Sequence, residues 1–399
     1  MQAARGGISR RGGLALLAAA AATPAFAQTR RGAPAWSTVW TATLQRQANA
    51  PTPVGGRTVR IATRASAGGS EVRVRLSNEF GAKPLHIGAA SVILKGRAVP
   101  LTFSGAPSTV VPSGAPVLTD AVKLPVAALD MLDVALFLPD ETLAETFQRG
   151  AGAKGMIVSD PGDFTRQAAA LTGTEALPAF VSAIEVLAPA RPNLVIFGDT
   201  KSAGPGTWPD FLPPLTGGRM GVANRSQYAG LMALGAAGES GLARFDRDVL
   251  SATGATHVLI FNGNNDLIQP GAVGSGGRPL LDPALTQTAE QLIAAQAQAA
   301  LRARAAGLKT IGGTWLPYEG VAIVGYATPE KAAKRMAVNA WMRKSPLFDL
   351  VIDFEAALQD PAHPGGLLPA YDSGNHFTPS EAGYKRMAEA AWAKLKTLL

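Results

Sequence analysis

Two hydrophobic periods divide this chain, and no single layer of secondary structure satisfies both. From Trp36 to about Phe164 the period is two. Val72-Arg-Val-Arg-Leu76 alternates apolar and charged side chains, as a strand with one wet face does. Thr58-Val-Arg-Ile-Ala-Thr63 precedes it across the turn-rich Ser66-Ala-Gly-Gly-Ser70. Further short apolar runs follow at Val92-Ile-Leu94, Val99-Pro-Leu-Thr-Phe103, Val117-Leu118 and Val134-Ala-Leu-Phe-Leu138, with Gly, Pro and Ser clusters between them. Many short strands punctuated this way predict a β-sandwich. After Pro192 the pattern changes. Leu194 to Phe197, His257-Val-Leu-Ile-Phe261, Lys309-Thr-Ile-Gly-Gly-Thr-Trp315 and Leu350-Val-Ile-Asp-Phe354 read as buried strands separated by helical stretches. That alternation predicts a parallel sheet in a three-layer α/β domain.

Two helices are legible in detail. One is expected to start at the cap Asp282-Pro283, carry Leu285, Ala289, Leu292, Ile293, Gln296, Ala299 and Ala300 on one side, and stop at Gly307. The last is expected to open on the capping box Thr378-Pro-Ser-Glu381, with Thr378 as its cap. Tyr384, Met387, Ala388, Ala391, Trp392 and Leu395 would form its buried stripe. The expected division is a signal segment at 1–27, a leader at 28–35, the β-sandwich at 36–165, a linker at 166–191 and the α/β domain at 192–399. A chain of 399 residues fits two domains better than one.

The first 27 residues have the layout of a secretory signal. Arg5, Arg10 and Arg11 make a basic start, Gly13 to Ala22 is an apolar run too short to span a bilayer, and Ala25-Phe26-Ala27 is a small-x-small cleavage site. Ser9-Arg10-Arg11 leaves twin-arginine export open beside ordinary secretion. The mature chain is therefore expected in the periplasm or outside the cell. With no cysteine, disulfides and thiolate chemistry are excluded. The four histidines, His86, His257, His363 and His376, form no ligand cluster, so no metal and no cofactor is expected. The formal charge of +8 falls to +5 without the three signal arginines, and the remaining cations are scattered, so nucleic acid is not an expected partner.

In open α/β sheets, ligands sit at the carboxyl ends of the strands. Gly198-Asp-Thr200, Gly263-Asn-Asn-Asp266 and Tyr371-Asp-Ser-Gly-Asn-His-Phe-Thr-Pro379 are placed to lie there. Together these blocks resemble the SGNH (GDSL) hydrolase superfamily from about Pro192 to the C-terminus. Gly241-Leu-Ala-Arg-Phe-Asp-Arg-Asp-Val-Leu250, Pro317-Tyr-Glu-Gly320, Ala337-Val-Asn-Ala-Trp341 and Phe348-Asp-Leu-Val-Ile-Asp-Phe354 resemble one bacterial branch in which a β-sandwich precedes the hydrolase domain. The resemblance implies a flavodoxin-like parallel sheet behind an all-β domain. It also implies esterase, lipase or carbohydrate deacetylase chemistry. In that chemistry a serine attacks, a histidine takes its proton and an aspartate supports the imidazolium. Amides and an asparagine hold the oxyanion.

Carried over residue by residue, the resemblance gives altered chemistry. Thr200 stands at the nucleophile, Asn375 at the acid and Thr378 at the base. In the second block, Gly221-Val-Ala-Asn-Arg-Ser-Gln-Tyr-Ala-Gly230, Asn224 matches the family asparagine and Ser226 stands at the oxyanion glycine. Asn265 matches the oxyanion asparagine. Asn375 cannot become an anion and Thr378 cannot take up a proton. In a serine protease, loss of the nucleophile or base alone lowers turnover by about a millionfold. The sequence therefore favours a member without triad hydrolysis that binds an acylated glycan, a lipid ester or an envelope protein. The alternative is an esterase, lipase or carbohydrate deacetylase with a rearranged site, using Thr200 or Ser202 with His376, and Asp372 available beside it. Purely structural readings stand next to these: Asp199 as an acceptor of backbone hydrogen bonds in its turn, Asn375 as a turn residue and His257 as a core histidine.

Overall fold

The computed structural model describes residues 33–46, 50–149, 155–236, 238–274 and 276–399. The signal segment at 1–27 and all but the end of the expected leader lie outside these. The first strand already starts inside that leader, at Pro34–Thr41.

Beside two two-stranded pairs, Gln45–Arg46 with Thr146–Phe147 and Leu85–Ile87 with Thr109–Val111, two large antiparallel sheets make most of the β domain among the described residues. One runs in the order Pro34–Thr41, Val181–Pro189, Gly69–Ser77, Val122–Val126, with Pro116–Leu118 also paired to Gly69–Ser77. The other runs Gly173–Ala176, Met156–Pro161, Arg57–Arg64, Met131–Leu138, Ala89–Leu94, Arg97–Leu101. Alternation decides what is buried. Val72, Val74 and Leu76 enter a shared core with Val59, Ile61, Val134 and Leu136, while Glu71, Arg73 and Arg75 face outward. Each such apolar side chain contributes roughly 1.5–3 kcal/mol on burial.

The segment 166–191 is not a linker. Gly173–Ala176 pairs with Met156–Pro161, and Val181–Pro189 lies between two partners in the other sheet. Six consecutive side chains, Val181 to Val186, are buried there. Continuous burial erases the alternation that identifies a half-wet strand, so the run carries no period-two signature.

Among the described residues the α/β domain holds five parallel strands: β1 (Asn193–Gly198), β2 (Gly221–Asn224), β3 (His257–Phe261), β4 (Lys309–Gly313) and β5 (Leu350–Ile352). Their spatial order is β2-β1-β3-β4-β5, the flavodoxin-like order with a switch point at β1. The helices are α1 (Trp208–Thr216), α2 (Gly241–Phe245, continued by a π turn), α3 (Asn264–Ile268), α4 (Ala289–Ala305), α5 (Pro329–Lys344), α6 (Phe354–Leu358) and α7 (Glu381–Leu395). Helices α1, α6 and α7 pack together, and α2, α4 and α5 form a second group.

Two helix starts differ from expectation. Helix α4 begins after Thr288, whose hydroxyl and the Gln291 side chain complete a reciprocal capping box. Asp282-Pro283 instead opens a separate single turn at Pro283–Leu285, which leaves Leu285 outside the core. Helix α7 is capped by Ser380, whose hydroxyl accepts from the Gly383 amide at 3.2 Å, not by Thr378. Pro379 pairs with Asp372 in a short antiparallel bridge, so the chain is still extended where Thr378 was expected to cap. The buried stripe of α7 is as read: Met387, Ala388, Ala391 and Leu395 are buried, with Tyr384 and Trp392 against them.

The two domains are joined by directional bonds. The Asn193 amide donates to the Thr38 carbonyl at 2.8 Å, and the Arg225 guanidinium to the Ala42 carbonyl at 2.6 Å. Thr253 donates its hydroxyl to Glu185 at 2.7 Å, and Ser66 exchanges hydrogen bonds with the backbone of Val222. Gly254 has φ +72° and leaves only 2.5 Å between a notional Cβ and the Trp36 carbonyl oxygen, so only glycine fits that junction.

Candidate functional site

Strand β1 is buried throughout and ends at Gly198. A Cβ at Gly198 would lie 2.7 Å from the Ser226 hydroxyl and 2.8 Å from that of Ser202, so the strand end is closely surrounded. Asp199 follows, buried, its carboxylate accepting the Lys201 amide at 3.1 Å. Burial pushes the Asp199 carboxyl up, and the nearby Lys201 pulls it down.

Thr200 comes next and is partly buried. Its hydroxyl oxygen accepts the Ala229 amide at 2.9 Å, and the Asn265 side-chain amide approaches it at 3.4 Å. Asn265 also donates to the Gly230 carbonyl at 3.0 Å. The two loops that deliver these donors are locked together by Asp266. Its buried carboxylate accepts the amides of Met232, Ala233 and Leu234 at 2.6, 2.8 and 3.0 Å. Burial raises the Asp266 carboxyl to about 6, although those amides pull it down.

The amide that reaches Thr200 is therefore that of Ala229, not Ser226. Ser226 donates its own amide to the Asn224 side chain at 3.1 Å, and its buried hydroxyl has no partner among the described residues. Residues 221–224 of that block form strand β2, which carries Ser226 behind Gly198. Ala229, at φ +56°, turns its N–H toward the tip of β1.

Asn375 and Thr378 come together, and each serves the other. Asn375 accepts the amides of Phe377 and Thr378 at 2.9 and 2.8 Å and donates to the Thr378 hydroxyl at 2.7 Å. The same hydroxyl lies 2.9 Å from that of Ser373. This is a closed side-chain-to-backbone turn of the kind asparagine favours. Among the described residues no hydrogen bond joins Thr200 to Asn375, Thr378 or His376.

His376 and Asp372 pair with one another instead. The histidine Nδ1 is 2.6 Å from the Asp372 carboxylate, whose other oxygen accepts the amides of Gly374 and His376 at 2.9 and 3.0 Å. His376 sits at φ +59°, a backbone region that costs a non-glycine residue energy. Its ring lies against Gly320, where a Cβ would come within 3.0 Å of Cγ. Ser202 is not its partner. Ser202 is fully buried, and its hydroxyl oxygen accepts the Trp208 indole N–H at 2.8 Å. His257 lies buried in β3, 2.7 Å from the Thr256 hydroxyl, and burial pulls its imidazole down.

Lys201 is the residue whose placement the sequence left open. It is 1% exposed, and its amine has no hydrogen-bond partner among the described residues. The amine lies 3.6 Å from the centroid of the Phe377 ring. That ring meets Tyr326 edge-on at 5.2 Å, and Tyr326 meets Tyr318 at 6.3 Å. Burial lowers the lysine to about 8, with Asp199 opposing the shift. A cation on an aromatic face thus ties the Thr200 loop to the 371–379 loop. Among the described residues no group of His, Asp or Glu side chains is placed to hold a metal ion.

A five-stranded parallel sheet in flavodoxin-like order, with Thr200, Asn265 and Ala229 converging beyond β1 and β3, is the scaffold of an SGNH-type hydrolase domain. Residues 194–391 match the family of GDSL-like lipases and acylhydrolases, and the chain belongs to that family, within the SGNH hydrolase superfamily. Among solved structures it is similar to a GDSL-like lipase from Bacteroides thetaiotaomicron, at 18% identity and TM-score 0.40, covering 52% of this chain and 89% of that one. The psychrotrophic esterase EstA from Pseudoalteromonas aligns at 16% identity and TM-score 0.36, covering 52% and 97%. The protein YXIM from Bacillus subtilis aligns at 14% identity and TM-score 0.38, covering 86% and 79%. No curated protein matches the chain.

Proposed function

We propose that this GDSL-family protein lacks triad ester hydrolysis and acts by binding a ligand or a partner. The observation that carries the reading is the hydrogen-bond economy at the three family positions. Thr200 is engaged by Ala229 and Asn265, while Asn375 and Thr378 satisfy each other. Among the described residues no proton acceptor is paired with the Thr200 hydroxyl, and an unassisted hydroxyl is a weak nucleophile. The chemistry the family acts on makes an acylated glycan or a lipid ester the expected ligand, and an envelope protein the expected macromolecular partner. Export fits the signal-like first 27 residues, and places the protein in the periplasm or outside the cell. Among the described residues no helix is long and apolar enough to cross a membrane.

The test is hydrolysis of a short-chain aryl ester by the purified protein beside Thr200→Ala and the triple variant Thr200→Ser/Asn375→Asp/Thr378→His. The expected result is background turnover in the first two and a gain in the triple variant. Turnover well above background that vanishes in Thr200→Ala would overturn the reading.

One observation favours the alternative, an esterase or carbohydrate deacetylase with a rearranged site. The Asp372 carboxylate holds Nδ1 of His376, which leaves Nε2 as the acceptor and gives the tautomer of a general base. On that reading His376→Ala removes a turnover that the unaltered protein displays.

A further inference from the structure

We infer that the cleft between the two domains is a binding site for an uncharged amphiphile, an apolar chain or ring carrying a hydroxyl or carbonyl oxygen. The inference deepens the binding reading and rests on it. It places the ligand between the domains and not at Thr200.

The cleft has a volume of about 580 Å³. Small-molecule sites fall in the range of roughly 300–1,000 Å³ and favour domain boundaries. On the β side, Trp40, Ala62 and Met131 line it, and Met131 is 56% exposed despite its apolar side chain. On the α/β side the wall is built by α1, whose sequence Trp-Pro-Asp-Phe-Leu-Pro-Pro-Leu-Thr is unusual for a helix. Pro213 and Pro214 stand inside the helix, where proline removes a backbone donor and crowds the preceding turn. With Phe211 they line the cleft with rings.

The prolines also fix the polar end. Pro214 has no N–H to give to the carbonyl of Asp210, four residues before it. That carbonyl instead accepts the Arg64 guanidinium, from the β domain, at 2.5 Å. Arg64 has five N–H donors in all, so donors remain for a ligand oxygen. The Asp210 carboxylate accepts the Gly206 amide at 2.8 Å and keeps further acceptor capacity.

Most other polar side chains on the cleft wall are committed, Gln148 and the Trp40 indole aside. Thr41 donates its hydroxyl to the Asn224 carbonyl, Thr63 to that of Leu132, and Ser66 to that of Val39. The Asn224 side chain is spent on Ser202 and Ser226. Gln148 and the Trp40 indole offer uncharged hydrogen-bonding groups, and the two charged side chains on the wall, Arg64 and Asp210, carry opposite signs. A charged ligand gains from one and loses to the other, whereas an uncharged oxygen is free to meet both.

The experiment is a calorimetric titration of the full chain with octyl glucoside below its micelle concentration. Octanoate and octylammonium of the same chain length run beside it. Saturable one-to-one binding is expected, with both charged analogues weaker. Ala62→Trp, at an exposed position on the cleft wall, fills the space and is expected to weaken binding at least tenfold. Arg64→Met keeps the apolar stem, removes the donors and is expected to weaken it by about tenfold, the loss of one hydrogen bond to a charged group. Thermal unfolding of each variant confirms that it folds. No saturable binding, or binding unchanged in both folded variants, overturns the inference. So does binding that survives Ala62→Trp and is lost in Thr200→Trp, although that outcome leaves the binding reading standing. Ester turnover dependent on Thr200 defeats the functional reading and is measured independently.

Discussion

Replacing Lys201 by methionine tests the least expected element of the site. Methionine is unbranched and of similar reach, so the variant removes the amine and keeps the packing. In the folded protein burial brings the lysine from its ordinary 10.5 to about 8, so folding favours the neutral amine. Below pH 8 both folded and unfolded chains hold the proton, and the buried charge weakens the fold. Between about pH 8 and 10.5 the unfolded chain keeps its proton while the folded one has lost it, so stability rises with pH. A separation of that size corresponds to about 3 kcal/mol across the window. The cation–π contact with Phe377 favours the charged form and trims the gain to about 2 kcal/mol. Urea unfolding of both proteins from pH 7 to 10.5 gives the difference. Parent minus variant is expected to increase by about 2–3 kcal/mol. A flat or falling difference would refute the claim that this amine is buried without a partner.

Two further outcomes follow from the loops around Thr200. Asp266→Ala leaves the amides of Met232, Ala233 and Leu234 without their acceptor and is expected to destabilise by roughly 2–4 kcal/mol, read by urea unfolding. Asn375→Ala opens the 375–378 turn and is expected to cost about 1–2 kcal/mol, with faster amide hydrogen exchange at Phe377 and Thr378. Unchanged exchange at both amides would show that the turn does not depend on this side chain.

Much of the fold was legible because burial left a period. Val72, Val74 and Leu76 alternate with charged neighbours, and the four apolar runs from Leu194 onward lie within or overlap strands β1, β3, β4 and β5. Where the environment is the same on both faces, the period disappears. Val181–Pro189 is paired on both sides and buried for most of its length, so its sequence lacks the alternation that marks a strand. Strand β2 is only four residues long and merges with the motif that follows it. Helix starts are ambiguous in the sequence where two capping patterns stand close together, at Asp282 and Thr288 and again at Thr378 and Ser380. Local chemistry permits either start, and the extended bridge between Asp372 and Pro379 selects the second in the last case.

The sequence by itself determined the fold class, the family, and the absence of serine, aspartate and histidine at positions 200, 375 and 378. Residue types carry that information without coordinates, because an amide cannot serve as a carboxylate nor a hydroxyl as an imidazole. Tertiary structure alone decided which groups meet. It brought the Ala229 amide to Thr200 in place of Ser226, sealed Ser202 against Trp208, turned His376 onto Asp372 and set the Lys201 amine on Phe377. Each of these depends on the approach of loops that are distant along the chain or on a left-handed backbone turn. Hydrogen bonds and ring contacts act over a few ångströms, so spacing in the sequence does not fix them.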